Sequence, residues 1–249
     1  ACPVKVPREV DCGLSERGAI YIPYTGALPN LSVIDEASCL HFKDGSCRAC
    51  ADACPFGAIN LEEKSRLVER QVGGIIAATG CSSLGEFVLP FPQEPIAESG
   101  VILSAMAFER LINPAGPSQG ELALVEGQEY GRICLVHAIG SHGKQAATAG
   151  GDLCCSLVRK YVHQLKKRFP NSQMGELLFR CCSPATGDAR VLGPKDRVIG
   201  FSRGESSVSV HFIRNGTERS IEAEMIIYVL ALLASDGASV LYDVLSASA

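Results

Sequence analysis

The sequence predicts an α/β fold, with a separate cysteine-rich module in its first third. Short apolar runs at 72–80 (VGGIIAATG) and 131–143 (GRICLVHAIGSHG) are typical of buried strands that end in glycine turns. Apolar residues at helical spacing in 152–169, followed by the strand-like GELLFRC at 175–181, complete a strand–helix–strand order. Residues 1–63 differ, because prolines and cysteines punctuate them as in segments whose fold a metal centre fixes.

The composition indicates a globular protein and excludes several functions. The chain has 249 residues, of which 47% are hydrophobic, and a net charge of −4, so it has no electrostatic reason to bind nucleic acid. Its longest apolar run, at 225–234, is about half of what spans a bilayer, and no signal-peptide pattern precedes it. We therefore expect no membrane span and a cytoplasmic location. Twelve cysteines in a chain of this length favour metal or redox chemistry over a disulfide framework.

Three further elements follow from local patterns. Two alternating runs flank Asn215 and Gly216, which predicts a hairpin with a two-residue turn. The apolar segment 225–231 is then a strand that returns to the core. The segment 101–112 (VILSAMAFERLI) is expected to be a helix.

Four cysteines have the spacing of an iron–sulfur ligand run. Cys39, Cys47, Cys50 and Cys54 read C-x7-C-x2-C-x3-C-P, and the last three with their proline match the bacterial ferredoxin run C-x2-C-x2-C-x3-C-P. This pattern predicts a [4Fe–4S] cluster. Zinc ligation and accidental proximity are the alternatives.

The Cys-Pro pair at positions 2 and 3 resembles the end of another such run. In two-cluster ferredoxins the fourth cysteine of each run ligates the other cluster. We therefore expect Cys2 to complete the cluster of Cys39, Cys47 and Cys50, and Cys54 to reach toward a second cluster. Alternatively, Cys2 has no role and Cys54 closes a single cluster. Cys12 has no partner spacing and is expected to be a structural or free thiol.

These residues resemble a known family, the A-subunits of heterodisulfide reductase. The resemblance is carried by ACPVKVP, GLSERGAIYIP, the cysteine run and VGGIIAATG, and continues through segments 108–120, 132–141, 153–160 and 226–237. It implies a flavin and iron–sulfur subunit in which a ferredoxin module is inserted into a thioredoxin-reductase-like pair of nucleotide-binding domains, working with other redox subunits. By this resemblance, 1–63 is a ferredoxin-like [4Fe–4S] module, 64–130 a remnant of the FAD domain with a linker, and 131–249 a Rossmann-like second domain.

The chain lacks part of what such a family needs to hold flavin. No G-x-G-x-x-G occurs, and in the family the first Rossmann unit precedes the region where this sequence starts. By the resemblance, Ala78, Thr79 and Gly80 match the flavin-contacting loop, with an ordinary glycine turn as the alternative. FAD binding is thus expected only with a missing segment or partner, and NAD binding is not expected because LALLASDG lacks the glycine that usually follows this strand.

A second cluster site of the family is altered in this chain. Ala138 and Gly150 stand where the family has cysteines, whereas Cys154 and Cys155 remain, with Cys134, Cys181 and Cys182 as candidate substitutes. The alternative is that the Cys-Cys pair packs in a core. His137 and His142 are interpreted as loop histidines without a nucleophile and carboxylate beside them, so no catalytic residue is assigned.

The sequence therefore predicts an iron–sulfur electron-transfer subunit or fragment of a multi-subunit redox complex. Two alternatives stay open at this point. One is an FAD-dependent oxidoreductase acting on a nicotinamide or disulfide substrate, and the other is a zinc-stabilised assembly module.

Overall fold

The computed structural model of the chain describes residues 1–78, 80–83, 96–97, 100–121, 129–139, 151–179, 182–193, 195–230 and 232–234, with four positions between 240 and 246. The chain divides into two compact units. The first comprises Ala1–Ile75 and Glu109–Leu122, and the second comprises Ile76–Phe108 and Ala123–Ala249. The domain boundaries at 63 and 130 stay predictions.

The first unit consists of short elements joined by loops. Strands β1 (Val6–Pro7) and β2 (Glu16–Arg17) pair antiparallel around a 3-10 turn at Glu9–Asp11, and β3 (Ile20–Tyr21) pairs with β4 (Val33–Ile34). Two helices follow, α1 (Leu40–Asp44) and α2 (Ala49–Asp52). No strand among these has more than two residues, so regular backbone pairing contributes little to the stability of this unit.

Charged side chains connect the loops of the first unit. The Arg17 side chain is 6% exposed and contacts the carboxylates of Glu9 and Asp35, and its guanidinium lies 3.9 Å from the ring centre of Tyr21. The hydrogen bond from Arg17 is the main reason that the pKa of Glu9 falls to about 2. Asp11 is buried and accepts a hydrogen bond of 2.9 Å from Nε of Arg110. In this unit, ion pairs thus provide part of the stabilisation that apolar packing provides elsewhere.

The second unit is built on a mostly parallel sheet. In chain order its elements are β5 (Cys81–Ser83), β6 (Ile96–Ala97), β7 (Gly100–Ser104), the beginning of α3 (Ala105–Ile112), β8 (Arg132–Ile139), α4 (Gly151–Arg168), β9 (Gln173–Phe179), β10 (Asp188–Leu192), β11 (Arg197–Arg203), β12 (Val208–Arg214), β13 (Thr217–Ala223), β14 (Met225–Leu230) and β15 (Leu232–Ala234). The large sheet has the order β10-β9-β8-β14-β7-β6. Its first five strands are parallel and β6 is antiparallel. This architecture is α/β and Rossmann-like.

The core of the second unit lies around β14. All six residues of this strand are buried, because β14 lies between β7 and β8 with Met225 opposite both Val101 and Ile133. Helix α4 buries the predicted apolar face, including Tyr161, whose ring packs edge-on against Phe108 at 4.8 Å between centroids. The predicted β8, α4 and β9 are confirmed, as is the returning strand β14.

The predicted hairpin is also confirmed. Strands β11, β12 and β13 form a separate antiparallel sheet, and β12 and β13 are joined by Asn215 and Gly216 with φ of 52° and 77°. Positive φ at both positions is the requirement of a type I′ turn, which Asn-Gly satisfies at low cost.

Two predicted elements differ in the structure. The helix expected at 101–112 begins only at Ala105, because Gly100–Ser104 pairs with β14 as strand β7, and sheet pairing overrides local helical spacing. The strand expected at 72–80 is wrong over residues 72–78, which have no strand pairing. Val72, Ile75 and Ile76 are exposed there, and Ile76 is 95% exposed. An apolar segment that has no neighbouring strand to pair with does not form a stable strand. None of the helices within the described parts of the chain has the length and apolar character needed to cross a bilayer.

Candidate metal centre

Four predicted cluster ligands line one pocket in the first unit. Cys2, Cys39, Cys47 and Cys50 face it, together with seven further residues, six of them apolar: Pro3, Val4, Ala19, Ile20, Ile34, Leu40 and His41. Cys54, which the structure also describes, is not among the lining residues. The structure therefore brings together the crossed set of cysteines rather than the four that are consecutive in the sequence.

The stretched gap between Cys39 and Cys47 contains a small helix. Cys39 is the residue before α1, and Gly45 ends the helix in the left-handed conformation, with φ of 73°. Nδ1 of His41 donates a hydrogen bond to the carbonyl oxygen of Cys47 at 3.1 Å, which joins the helix to the second cysteine. The longer spacing thus accommodates α1 while Cys39 and Cys47 still reach the same pocket.

Cys2 is held against the second loop of the unit. The backbone N–H of Ala19 donates to Sγ of Cys2 at 3.3 Å. Burial opposes ionisation, but hydrogen bonds from the backbone at Ile20, Val4 and Ala19 outweigh it and lower the pKa of Cys2. A Cβ on Gly18 would lie 3.0 Å from Cβ of Cys2 and 3.4 Å from its sulfur, so glycine permits this approach. A thiolate with backbone donors is the form in which cysteine ligates metals.

The separation of the sulfurs distinguishes between kinds of centre. A tetrahedral zinc ion with Zn–S bonds of about 2.3 Å needs its sulfurs about 3.8 Å apart. Among Cys2, Cys39, Cys47 and Cys50, all described, no three sulfurs lie within 4.8 Å of one another. These sulfurs are therefore farther apart than the ligands of a single tetrahedral zinc ion.

Cys54 has its own set of backbone donors. The N–H of Ala58 lies 3.4 Å from its sulfur, and this contact, followed by those of Phe56, Gly57 and Ile59, lowers the pKa of Cys54 despite some desolvation. The thiolate form is therefore favoured at Cys54 as well, outside the pocket of the other four cysteines.

The residues proposed to contact flavin are only partly described. Ala78 and Gly80 are exposed, and Gly80 has φ of 75°, as a glycine turn requires. Thr79 lies outside the described residues. Flavin contact at this loop stays a prediction.

A second group of side chains with donor atoms suited to a metal ion lies in the second unit. His137 on β8, Cys154 in the first turns of α4 and Cys182 after β9 are buried, and their donor atoms lie within 4.8 Å of one another. Cys182 is one of the substitutes considered above. Another, Cys134, is buried with its pKa raised to about 12 by desolvation, and Cys181 lies outside the described residues.

The interpretation of His137 as a loop histidine without a carboxylate is wrong. His137 belongs to β8, and its Nε2 lies 2.8 Å from Oε2 of Glu176, with both side chains fully buried. Interactions with Cys182 and Glu176 outweigh burial and raise the pKa of His137 to about 9. Glu176 was missed, although a glutamate in a strand that is otherwise apolar requires a buried partner. His142 and Gly150 lie outside the described residues.

The Rossmann-like sheet and the cysteine-lined pocket together define a class of protein, the cysteine-rich α/β proteins. No family model matches the chain. Curated proteins do match it. The iron–sulfur A-subunit of the CoB–CoM heterodisulfide reductase of Methanocaldococcus jannaschii is 32% identical over 178 residues, or 70% of this chain and 26% of that protein.

Two further relatives cover more of the chain. One of the iron–sulfur A-subunits of the CoB–CoM heterodisulfide reductase of Methanopyrus kandleri is 30% identical over 89% of the chain and 32% of its own length. The A-subunit of the ferredoxin:CoB-CoM heterodisulfide reductase of Methanosarcina acetivorans is 25% identical over 99% of the chain and 36% of its own length. The chain belongs to the family of heterodisulfide reductase A-subunits, and it spans about a quarter to a third of the length of these relatives.

Proposed function

We propose that the chain is the iron–sulfur electron-transfer part of a heterodisulfide-reductase-like redox complex. A single observation carries this proposal: Cys2, Cys39, Cys47 and Cys50 share one largely apolar pocket in a chain related to iron–sulfur subunits. In the proposal, these four cysteines hold one [4Fe–4S] cluster and residues 1–63 are a ferredoxin-like module. The cluster, when bound, supplies transfer of one electron at a time.

The residues around the pocket suit a cluster in two ways. Apolar side chains such as Ile20, Ile34 and Leu40 exclude water from the site, and the N–H of Ala19 stabilises negative charge on Cys2. The open spacing of the sulfurs favours a cluster over the zinc-stabilised module that the sequence left open.

Cys54 belongs, in this proposal, to a second cluster whose remaining ligands come from another segment or subunit. Its absence from the pocket and its own backbone donors support this assignment. The other redox subunits of such a complex are the expected partners, and the cytoplasm is the expected location. FAD would be held jointly with a segment or subunit that carries a glycine-rich βαβ unit, with Ala78, Thr79 and Gly80 forming one wall.

The first experiment tests whether the pocket holds iron. The chain is purified anaerobically, and iron and acid-labile sulfide are measured per chain for the wild type, Cys47→Ala and Cys12→Ala. We expect about four irons in the wild type and a loss of most of them in Cys47→Ala. Cys12→Ala is the matched control, because Cys12 lies in the same unit outside the pocket. Equal iron contents in the three proteins would refute the cluster.

A second pair of variants tests the crossed ligand set. Cys2→Ala is expected to degrade the cluster, as judged by iron content and by the electron paramagnetic resonance signal after reduction. Cys54→Ala is expected to leave that signal unchanged. The opposite pattern would assign Cys54 to the same cluster.

Gel filtration of the isolated chain should also remove any flavin, and retention of about one FAD per chain would contradict the shared flavin site.

A further inference from the structure

We propose that the second unit holds a mononuclear thiophilic metal ion of the zinc type through Nδ1 of His137, Sγ of Cys154 and Sγ of Cys182. This site lies in a different unit from the proposed cluster and uses none of its ligands. It goes beyond electron transfer by the cluster, because zinc has no redox chemistry of its own.

The geometry of the three donors fits one small ion. Their ligand atoms lie within 4.8 Å of one another, close to the separation of about 3.8 Å between sulfurs in a tetrahedral zinc site. Sulfur and imidazole donors in this proportion are the ligands that zinc prefers over magnesium or calcium. Three protein ligands leave the fourth tetrahedral position for a small molecule such as water.

The imidazole is oriented as it is in metal sites. Glu176 engages Nε2 of His137 at 2.8 Å, so the ring nitrogen left for a metal is Nδ1. Within the described residues, that atom makes no hydrogen bond of regular geometry, although the side chain of His137 is fully buried and the imidazole interacts with Cys182. Buried polar atoms are rarely left in this state, and a metal ion at Nδ1 would satisfy it. A carboxylate on the far nitrogen of a ligating histidine is the usual arrangement around zinc.

All three donors lie on, or shortly after, regular elements of the second unit. His137 is near the carboxyl end of β8, Cys154 is the fourth residue of α4, and Cys182 follows the adjacent parallel strand β9. The N–H of Cys182 donates to the carbonyl oxygen of Phe179 at 2.8 Å, which links Cys182 to the end of β9.

The segment after Cys182 fixes the supporting carboxylate. The backbone N–H groups of Ala185 and Thr186 both donate to Glu176, the former at 2.8 Å. These hydrogen bonds direct Oε2 of Glu176 toward His137, and they stabilise the negative charge of the buried carboxylate. The segment 182–186 thus contains one proposed metal ligand and the backbone donors that hold the carboxylate orienting another ligand.

Neighbouring Cys155 provides a matched control. It is buried beside Cys154 but is absent from the set of three donors, and its sulfur instead accepts a hydrogen bond from the N–H of Ser183 at 3.4 Å. Cys155→Ser and Cys182→Ser therefore make the same chemical change at two buried positions of the same unit, and the proposal assigns a metal ligand to only one of them.

The experiment uses the full chain, purified anaerobically, incubated with zinc sulfate and passed through a chelating resin. Iron and zinc per chain are then measured by mass spectrometry of the elements. We expect about one zinc in the wild type and in Cys155→Ser, and at least a tenfold lower zinc content with unchanged iron in Cys182→Ser. Cys47→Ala should lose iron and keep zinc, which separates this proposal from that of the cluster. X-ray absorption at the zinc edge of the wild type should show two sulfurs and one nitrogen, at about 2.3 Å and 2.0–2.1 Å.

Glu176→Gln gives a second test that leaves the three ligands in place. Loss of such a supporting carboxylate should weaken zinc binding by about 10–100-fold without abolishing it. Three results would overturn the proposal: wild-type protein that contains iron but retains no zinc, an equal loss of zinc in Cys155→Ser, or a loss of iron instead of zinc in Cys182→Ser. The last result would assign these residues to an iron–sulfur cluster.

Discussion

The two cysteine-containing sites are held by different kinds of structure. In the first unit, strands of two residues, loops and ion pairs around Arg17 position Cys2, Cys39, Cys47 and Cys50. In the second unit, His137, Cys154 and Cys182 are attached to a parallel sheet and its crossover helix, where the surrounding residues are buried. If the proposed cluster is bound, we expect the first arrangement to depend on it for stability, whereas the second is built on a hydrophobic core.

Removal of iron should produce the largest difference in amide protection between the two units. Treatment with an oxidant and a chelator is expected to abolish amide protection throughout residues 1–63, because little apolar area is buried there once the centre is lost. Amides of β8, β9 and β14 should retain their protection. Hydrogen exchange followed by mass spectrometry measures both regions in one sample, and equal loss in both would show that the contrast is wrong.

A cavity in the sheet should destabilise the second unit and leave the iron content unchanged. Leu135 is fully buried on β8, and its replacement by alanine is expected to destabilise the second unit by about 2–5 kcal/mol. Iron content before heating should not change. Thermal unfolding followed by circular dichroism detects the shift, and Leu67→Ala, at a side chain 93% exposed, is the control that should leave the unfolding temperature unchanged. Iron loss at room temperature in Leu135→Ala would contradict independence of the units.

A smaller change should loosen the first site without removing a ligand. Gly18→Ala introduces a Cβ at 3.0 Å from Cβ of Cys2, so Cys2 has to shift and the rate of iron release to a chelator should rise severalfold. Gly73→Ala is the matched control in the same unit, since nothing lies within 4 Å of the Cβ that it introduces. Identical release rates in these two variants would show that the position of Cys2 does not limit iron retention.

The smallest effect is expected from the ion pair between Arg17 and the exposed carboxylate of Glu9. Glu9→Gln removes one carboxylate from Arg17 but leaves Asp35, and exposed pairs contribute little because water and salt screen them. The pKa of Glu9 is lowered to about 2, so its contribution is complete above the usual value of 4.5 and disappears as the pH falls toward 2. The small difference between wild type and Glu9→Gln in hydrogen exchange of residues 1–35 should shrink over that range. A difference that grows on acidification would contradict this sign.

Local patterns could be predicted from the sequence, and long-range contacts could not. The loop of Cys47 and Cys50, the helix α4 and the turn at Asn215 each depend on residues within a few positions of one another. His137, Cys154 and Cys182 lie 17 and 28 positions apart, and they meet only because β9 pairs beside β8. Residues 100–104 show the same limit, because their pairing with β14, more than 100 residues away, decides that they form a strand.

The central place of β14 also affects the order of folding. This strand lies between β7 and β8 but comes about 90 residues after β8 in the chain, beyond the hairpin of β12 and β13. During synthesis β7 and β8 therefore emerge long before the strand that separates them, with pairing groups and apolar side chains that lack their final neighbours. Until residue 230 has left the ribosome, β7 and β8 lack the strand that lies between them, and we expect pairing between molecules to be most favoured during this interval.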